Sequence, residues 1–78
     1  MTYKYIVVQN TYRNGAATRV GFGIAAIEEY DMVTTVLESI PDLSANIKDI
    51  ERLVELCNRN QLDIDHLQDV ATDFLETK

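Results

Sequence analysis

Two short amphipathic stripes between Asn46 and Leu75, joined by the tight connector Asn58-Arg59-Asn60-Gln61-Leu62-Asp63, constrain this chain more than any other stretch. They predict a helical hairpin, a packing element that contains no chemistry of its own. In the first helix Asn46 is placed to act as N-cap, with Asp49 three residues on in a capping-box arrangement. Ile47, Ile50, Leu53, Val54 and Cys57 form its apolar stripe, with Lys48, Asp49, Glu51, Arg52, Glu55 and Arg59 outside it. The second helix is expected to start with Asp63 as cap and to bury Leu67, Val70, Ala71, Phe74 and Leu75. Asp65, Gln68, Asp69, Asp73 and Glu76 lie on its solvent side.

The N-terminal half reads differently. Tyr3 to Tyr12 and Thr18 to Ile27 are rich in aromatic and β-branched residues and flank Arg13-Asn14-Gly15-Ala16. Asn-Gly between such runs signals a hairpin, because both residues accept the positive φ of a type I′ turn. With Asn14 and Gly15 as the loop, Gln9 pairs with Val20, Val7 with Phe22 and Tyr5 with Ile24. One face then carries Tyr3, Tyr5, Val7, Val20, Phe22 and Ile24, the expected core face. The other sets Ile6 and Val8 against Gly21 and Gly23. Two readings of those glycines stand: strong twist or close approach of other chain atoms, with Tyr12 and its neighbours lying across them, or a flat apolar patch used for association.

Residues 31 to 40 carry two signals. Met32, Val33, Val36, Leu37 and Ile40 have helical spacing, whereas Val33-Thr34-Thr35-Val36 is a β-branched run that favours a strand. The strand is the reading adopted, entered through a turn from Glu28 to Asp31, with a short helix as the alternative. The expected fold is α+β in one domain spanning residues 1–78: a three-stranded antiparallel sheet in 1–40, then a helical hairpin in 46–75 packed on one face.

Charge divides along the chain. Residues 1–27 hold three basic residues and no acid, a net +3, and residues 28–78 hold all thirteen acids for a net -9. An acidic helical half repels a phosphate backbone, so direct nucleic-acid binding is not expected. No run approaches a membrane span, and Met1-Thr2-Tyr3-Lys4 lacks the features of a signal peptide. The expectation is a cytoplasmic protein that does not engage membranes.

Few residues offer chemistry. His66 has Asp69 one turn and Asp73 two turns ahead, enough to sketch a metal site or an oriented base. No nucleophile or oxyanion donor accompanies it, and the second His of a metalloprotease helix is replaced by Val70. Cys57, the single cysteine, falls in an apolar stripe and reads as a small buried hydrophobe. Tyr3, Tyr5, Tyr12 and Tyr30 do not share an exposed face, which argues against a base-stacking platform. No catalytic residue, metal or cofactor is assigned.

The run Leu53-Val54-Glu55-Leu56-Cys57-Asn58, then Leu62, His66-Leu67-Gln68-Asp69-Val70 and Asp73-Phe74-Leu75, resembles the C-terminal signature of a family of small bacterial proteins of unknown function. Gly23-Ile24 and Asp42-Leu43-Ser44 correspond to its glycine-containing strand and its turn, while Ala71-Thr72 and Ala45 depart from it. The resemblance implies a strand at residues 32–40 and supplies no catalytic residue. It draws attention to Asn58 and His66, which flank the connector and are placed to fix its geometry together.

These features lead to the expectation of a non-enzymatic interaction or regulatory module. Its surface would be the sheet face around Ile6, Val8, Tyr12, Gly21 and Gly23, or the acids Asp65, Asp69 and Asp73; its partner would be another protein or a second copy. Two alternatives are an acidic inhibitor that mimics nucleic acid to block a host protein, and a small enzyme that depends on His66.

Overall fold

The computed structural model describes residues 3–76. Three antiparallel strands, β1 (Tyr3–Asn14), β2 (Ala17–Tyr30) and β3 (Val33–Ser44), form a sheet in the order β1-β2-β3. Helix α1 (Ile47–Arg59), a 3-10 turn (Ile64–His66) and helix α2 (Leu67–Glu76) follow. The fold is the expected α+β arrangement, and residues 33–44 form a strand.

The first hairpin is longer than the Asn-Gly signal suggests. Asn14 pairs with Ala17, so the loop residues are Gly15 and Ala16. Gly15 alone has positive φ, at 65°, which is the pattern of a type II′ turn with glycine first. Gln9 therefore faces Phe22, Val7 faces Ile24 and Tyr5 faces Ala26, a slip of two residues from the expected register. Because side chains alternate with period two, a slip of two leaves every residue on its expected face. Tyr5, Ile24 and Ala26 accordingly enter the core with Leu43, Ile50, Cys57, Leu67 and Ala71. The second hairpin turns at Asp31 and Met32, later than the expected Glu28 to Asp31, with φ of 52° and 65°. Both residues in the left-handed region make this the type I′ turn, without glycine or asparagine.

β3 runs through Pro41, which does not stop it. Ile24 pairs with Ile40 and Phe22 with Ser44, so β3 uses four residues where β2 uses two. Proline cannot donate to a ladder and is tolerated at such a bulge on an edge strand. The bulge lays Ile40–Asp42 over the glycines of β2. A Cβ on Gly23 would overlap the Ile40 carbonyl oxygen and stand 2.5 Å from the Pro41 carbonyl carbon.

The α1 cap is Asn46, whose Oδ1 accepts the Lys48 N–H at 3.0 Å, while the Asn46 N–H donates to Ser44 Oγ at 3.0 Å. Asn60 ends the helix. Leu62 N–H donates to the Cys57 carbonyl (3.0 Å) and Gln61 N–H to the Asn58 carbonyl (3.2 Å), the paired bonds of a Schellman motif, with Gln61 at φ 51° in the place usually held by glycine. The second helix begins later than expected: Asp63 precedes the 3-10 turn and makes no side-chain cap, and Leu75 is 53% exposed and not part of the buried stripe.

Candidate functional site: the connector and the interhelical cleft

Asn58 does the work of a missing strand. As the last turn of α1 passes the outer edge of β1, its Oδ1 accepts the Tyr5 N–H at 2.8 Å and its Nδ2 donates to the Tyr5 carbonyl at 2.9 Å. A primary amide offers one acceptor and one donor at the spacing of a peptide group, so it satisfies both outward-facing backbone groups of Tyr5. Beneath it, the Tyr5 and Tyr3 hydroxyls both donate to the Leu62 carbonyl, at 2.6 and 3.2 Å, with the rings in edge contact at 6.0 Å. Burial, aided by the neighbouring Tyr3, Cys57 and Asp63, pushes the Tyr5 hydroxyl up to about 12. Burial also raises the Cys57 thiol, which keeps it protonated and inert. Tyr3, Tyr5, Asn58, Gln61 and Leu62 line a polar concavity of about 320 Å³ here.

The two helices follow the sheet as the expected pair and share its core cluster, Ile50 and Cys57 of α1 with Leu67 and Ala71 of α2. Each packs on the sheet, and they make almost no close backbone approach to one another. Between them lies a second cavity of about 330 Å³, lined chiefly by Leu53, Leu56, Leu62, Val70 and Phe74, with Asn60 and Asp73 on its lining. A depression of about 160 Å³ among Asp49, Arg52, Leu53, Leu56 and Phe74 shares three of those side chains and extends the cleft along α1. Leu56 is 45% exposed there, because it belongs to neither the sheet-facing stripe nor the charged face. The cleft was hidden in the sequence, where Leu56 looked incidental; an apolar residue off the main stripe was its only signal.

The remaining candidate residues fall as follows. Gly21 and Gly23 are buried under Ile40–Asp42, and Ile6 and Val8 are half-buried, so this face is not the flat open patch of the association reading. Tyr12 lies 5.1 Å from the Arg19 guanidinium, which pairs with Asp42 at 3.0 Å. Asp65, Asp69 and Asp73 are all exposed, and of these Asp73 borders the cleft. The His66 ring is exposed, with Nδ1 3.8 Å from Asp69 Oδ2, and it lines none of the three concavities. Its backbone N–H donates to the Asp63 carbonyl at 2.9 Å, while Asn58 bonds to β1, so the structure does not bring the two side chains together. No group of three or more His, Cys, Asp or Glu placed to hold a metal occurs among the described residues. No described helix is long and apolar enough to cross a membrane.

The structure thus defines a small α+β protein: a three-stranded meander followed by two helices, with a cleft between them. The chain matches the family of unknown function DUF6514 over residues 1–77 and belongs to that family. No curated protein and no solved structure matches it.

Proposed function

We propose that this protein is a non-enzymatic binding module that seats an apolar side chain of a protein partner in the cleft between α1 and α2. The observation that carries the reading is the apolar cleft that the two helices leave between them. A pair of amphipathic helices ordinarily closes such a lining by packing side by side. The cavity of about 330 Å³ lies at the lower end of the range for binding sites and suits one large side chain better than an extended ligand. The carboxylates of Asp49 and Asp73 outnumber the Arg52 cation at its margins, and within a segment of net charge -9 they favour a partner with basic residues beside its apolar anchor. A nucleic-acid mimic would draw on the same charges, but an apolar floor beneath the acids favours a protein segment over a phosphate-binding channel.

Leu56→Lys tests the proposal, since Leu56 is 45% exposed and its replacement spares the core. Wild type and variant would serve as baits in host lysate at low and moderate salt. The expected result is one stoichiometric protein held by wild type, released by salt and lost from the variant. Identical recoveries on both baits would remove the cleft from consideration.

A further inference from the structure

The open edge of β3 is a second surface, independent of the cleft. Val33 to Leu37 are all exposed, with Val33 at 62%, Val36 at 60% and Leu37 at 41%. At the turn before them Tyr30 is 78% exposed and Met32 fully so. An exposed edge of this composition presents unpaired backbone groups to any other strand. Proteins usually blunt one with lysine, proline, a bulge or a covering element. Here Pro41 and the bulge around it protect the far end of β3 and a second register shift falls at Leu37, leaving Val33–Val36 regularly paired to β2 on the inner side. Met32 adds a further cost, because a non-glycine residue at φ 65° is held in a sparsely populated conformation.

We infer that two copies of this chain associate through β3, edge to edge and antiparallel, to make a continuous six-stranded sheet. Charge selects the occupant. Met32 to Leu37 is the longest uncharged run in residues 28–78, which otherwise carry a net -9. It is therefore where two acidic copies meet without setting carboxylates against each other. Area sets the strength. The chain exposes 5630 Å², and the six residues of that run at the average exposure hold on the order of 430 Å² per copy, so two copies bury less than the roughly 1,200 Å² of a standard interface and their association is weak and concentration-dependent.

Symmetry fixes the register further. Opposed residues in an antiparallel pair share a face, so two identical strands side by side are related by a two-fold axis normal to the sheet. One residue must then face its own copy. Thr35 or Val36 at that point leaves the uncharged run in contact, whereas Glu38 there would oppose two carboxylates. Both helical layers end on the same face of the joined sheet, and the clefts stay accessible.

Sedimentation equilibrium over a roughly hundredfold concentration range tests the dimer. The expected result is a shift from monomer to dimer mass, promoted by salt because the copies carry like net charge. Val36→Lys, at an exposed position, should weaken association at least ~10-fold with an unchanged circular dichroism spectrum. Thr35→Cys or Val36→Cys should crosslink to its own copy under mild oxidation, since facing residues lie within the ~4.4–6.8 Å Cα separation of a disulfide. Cys57 is buried and contributes little background. Leu56→Lys should leave the dimer intact, which separates this surface from the proposed partner cleft. A monomer at every concentration overturns the inference, as does a dimer indifferent to Val36→Lys or lost only in Leu56→Lys.

Discussion

The two edges of this sheet are treated in opposite ways. Along β1, α1 brings Asn58 to the Tyr5 backbone at 2.8 and 2.9 Å, and two tyrosine hydroxyls anchor the connector behind it. Along β3, residues 33–37 face solvent with apolar and β-branched side chains. An edge closed by one amide is finished within the chain, whereas an edge of valines and threonines is a surface still to be covered. The helices divide similarly: their sheet-facing stripes are buried, and the space between them is not. Of the exposed large apolar residues, Val33, Val36 and Leu37 lie along β3 and Leu56 lies at the cleft.

The largest effect is expected where β3 crosses β2. Gly23→Ala places a methyl group against the backbone of Ile40 and Pro41, which cannot swing aside as a side chain does. Opening the bulge to admit it should cost about 3 kcal/mol or more, seen as a lowered urea midpoint. Gly21→Ala is the internal control. Its methyl group meets the Asp42 carboxylate and the Tyr12 ring, and the carboxylate can rotate away with loss of only a surface pair to Arg19, so it should cost less than half as much. Equal costs would mean that close approach at Gly23 is not what shapes the end of β3.

Next in size is Asn58→Ala, which leaves the Tyr5 N–H and carbonyl without the amide that spans them. Two part-buried backbone groups losing partners should cost about 2 kcal/mol. If the amide closes the β1 edge, the variant should also gain amide exchange at Tyr5 while Ile24, in the sheet centre, stays protected. A uniform rise in exchange across the sheet would instead assign Asn58 a global role.

How far these features were legible follows from what each depends on. The core face of the first hairpin, Tyr3, Tyr5 and Val7 against Val20, Phe22 and Ile24, is legible because side-chain alternation survives a register slip of two, although the turn lies at Gly15-Ala16 and not at the expected Asn14-Gly15. Residues 33–36 declared themselves a strand by β-branching. The α1 stop was harder, since Gln61 adopts the left-handed conformation that glycine or asparagine would advertise. Asn58 and Leu62 could be marked as belonging to a connector, but that they reach Tyr5 and Tyr3 depends on contacts 53 to 59 residues apart. Such pairings leave no local pattern. The cleft was illegible for a related reason: an apolar stripe says that a helix face is buried, and nothing about how far its neighbour stands.

The smallest effect comes from the Tyr5 hydroxyl and carries its own pH signature. Its folded-state value is pushed up to about 12 from an ordinary 10, chiefly by burial, so the folded protein holds this proton more tightly than the unfolded chain does. Stability from the group is fully present below pH 10 and is lost as pH rises toward 12, at up to about 1.4 kcal/mol per pH unit. Tyr5→Phe should cost about 1 kcal/mol at pH 8 through the lost bond to the Leu62 carbonyl. Because the variant has no proton to lose, that deficit should close by about pH 11. Urea midpoints of both proteins between pH 8 and 11 measure it. Because the Tyr3 hydroxyl also donates to Leu62, at the longer distance of 3.2 Å, the connector keeps an anchor in the variant. The pH-dependent part of the difference thus reports the Tyr5 hydroxyl together with its coupling to the neighbouring Tyr3 and Cys57. A gap that stays constant with pH would mean that the Tyr5 hydroxyl is wet in solution, and that the β1 side is less tightly closed than its hydrogen bonds imply.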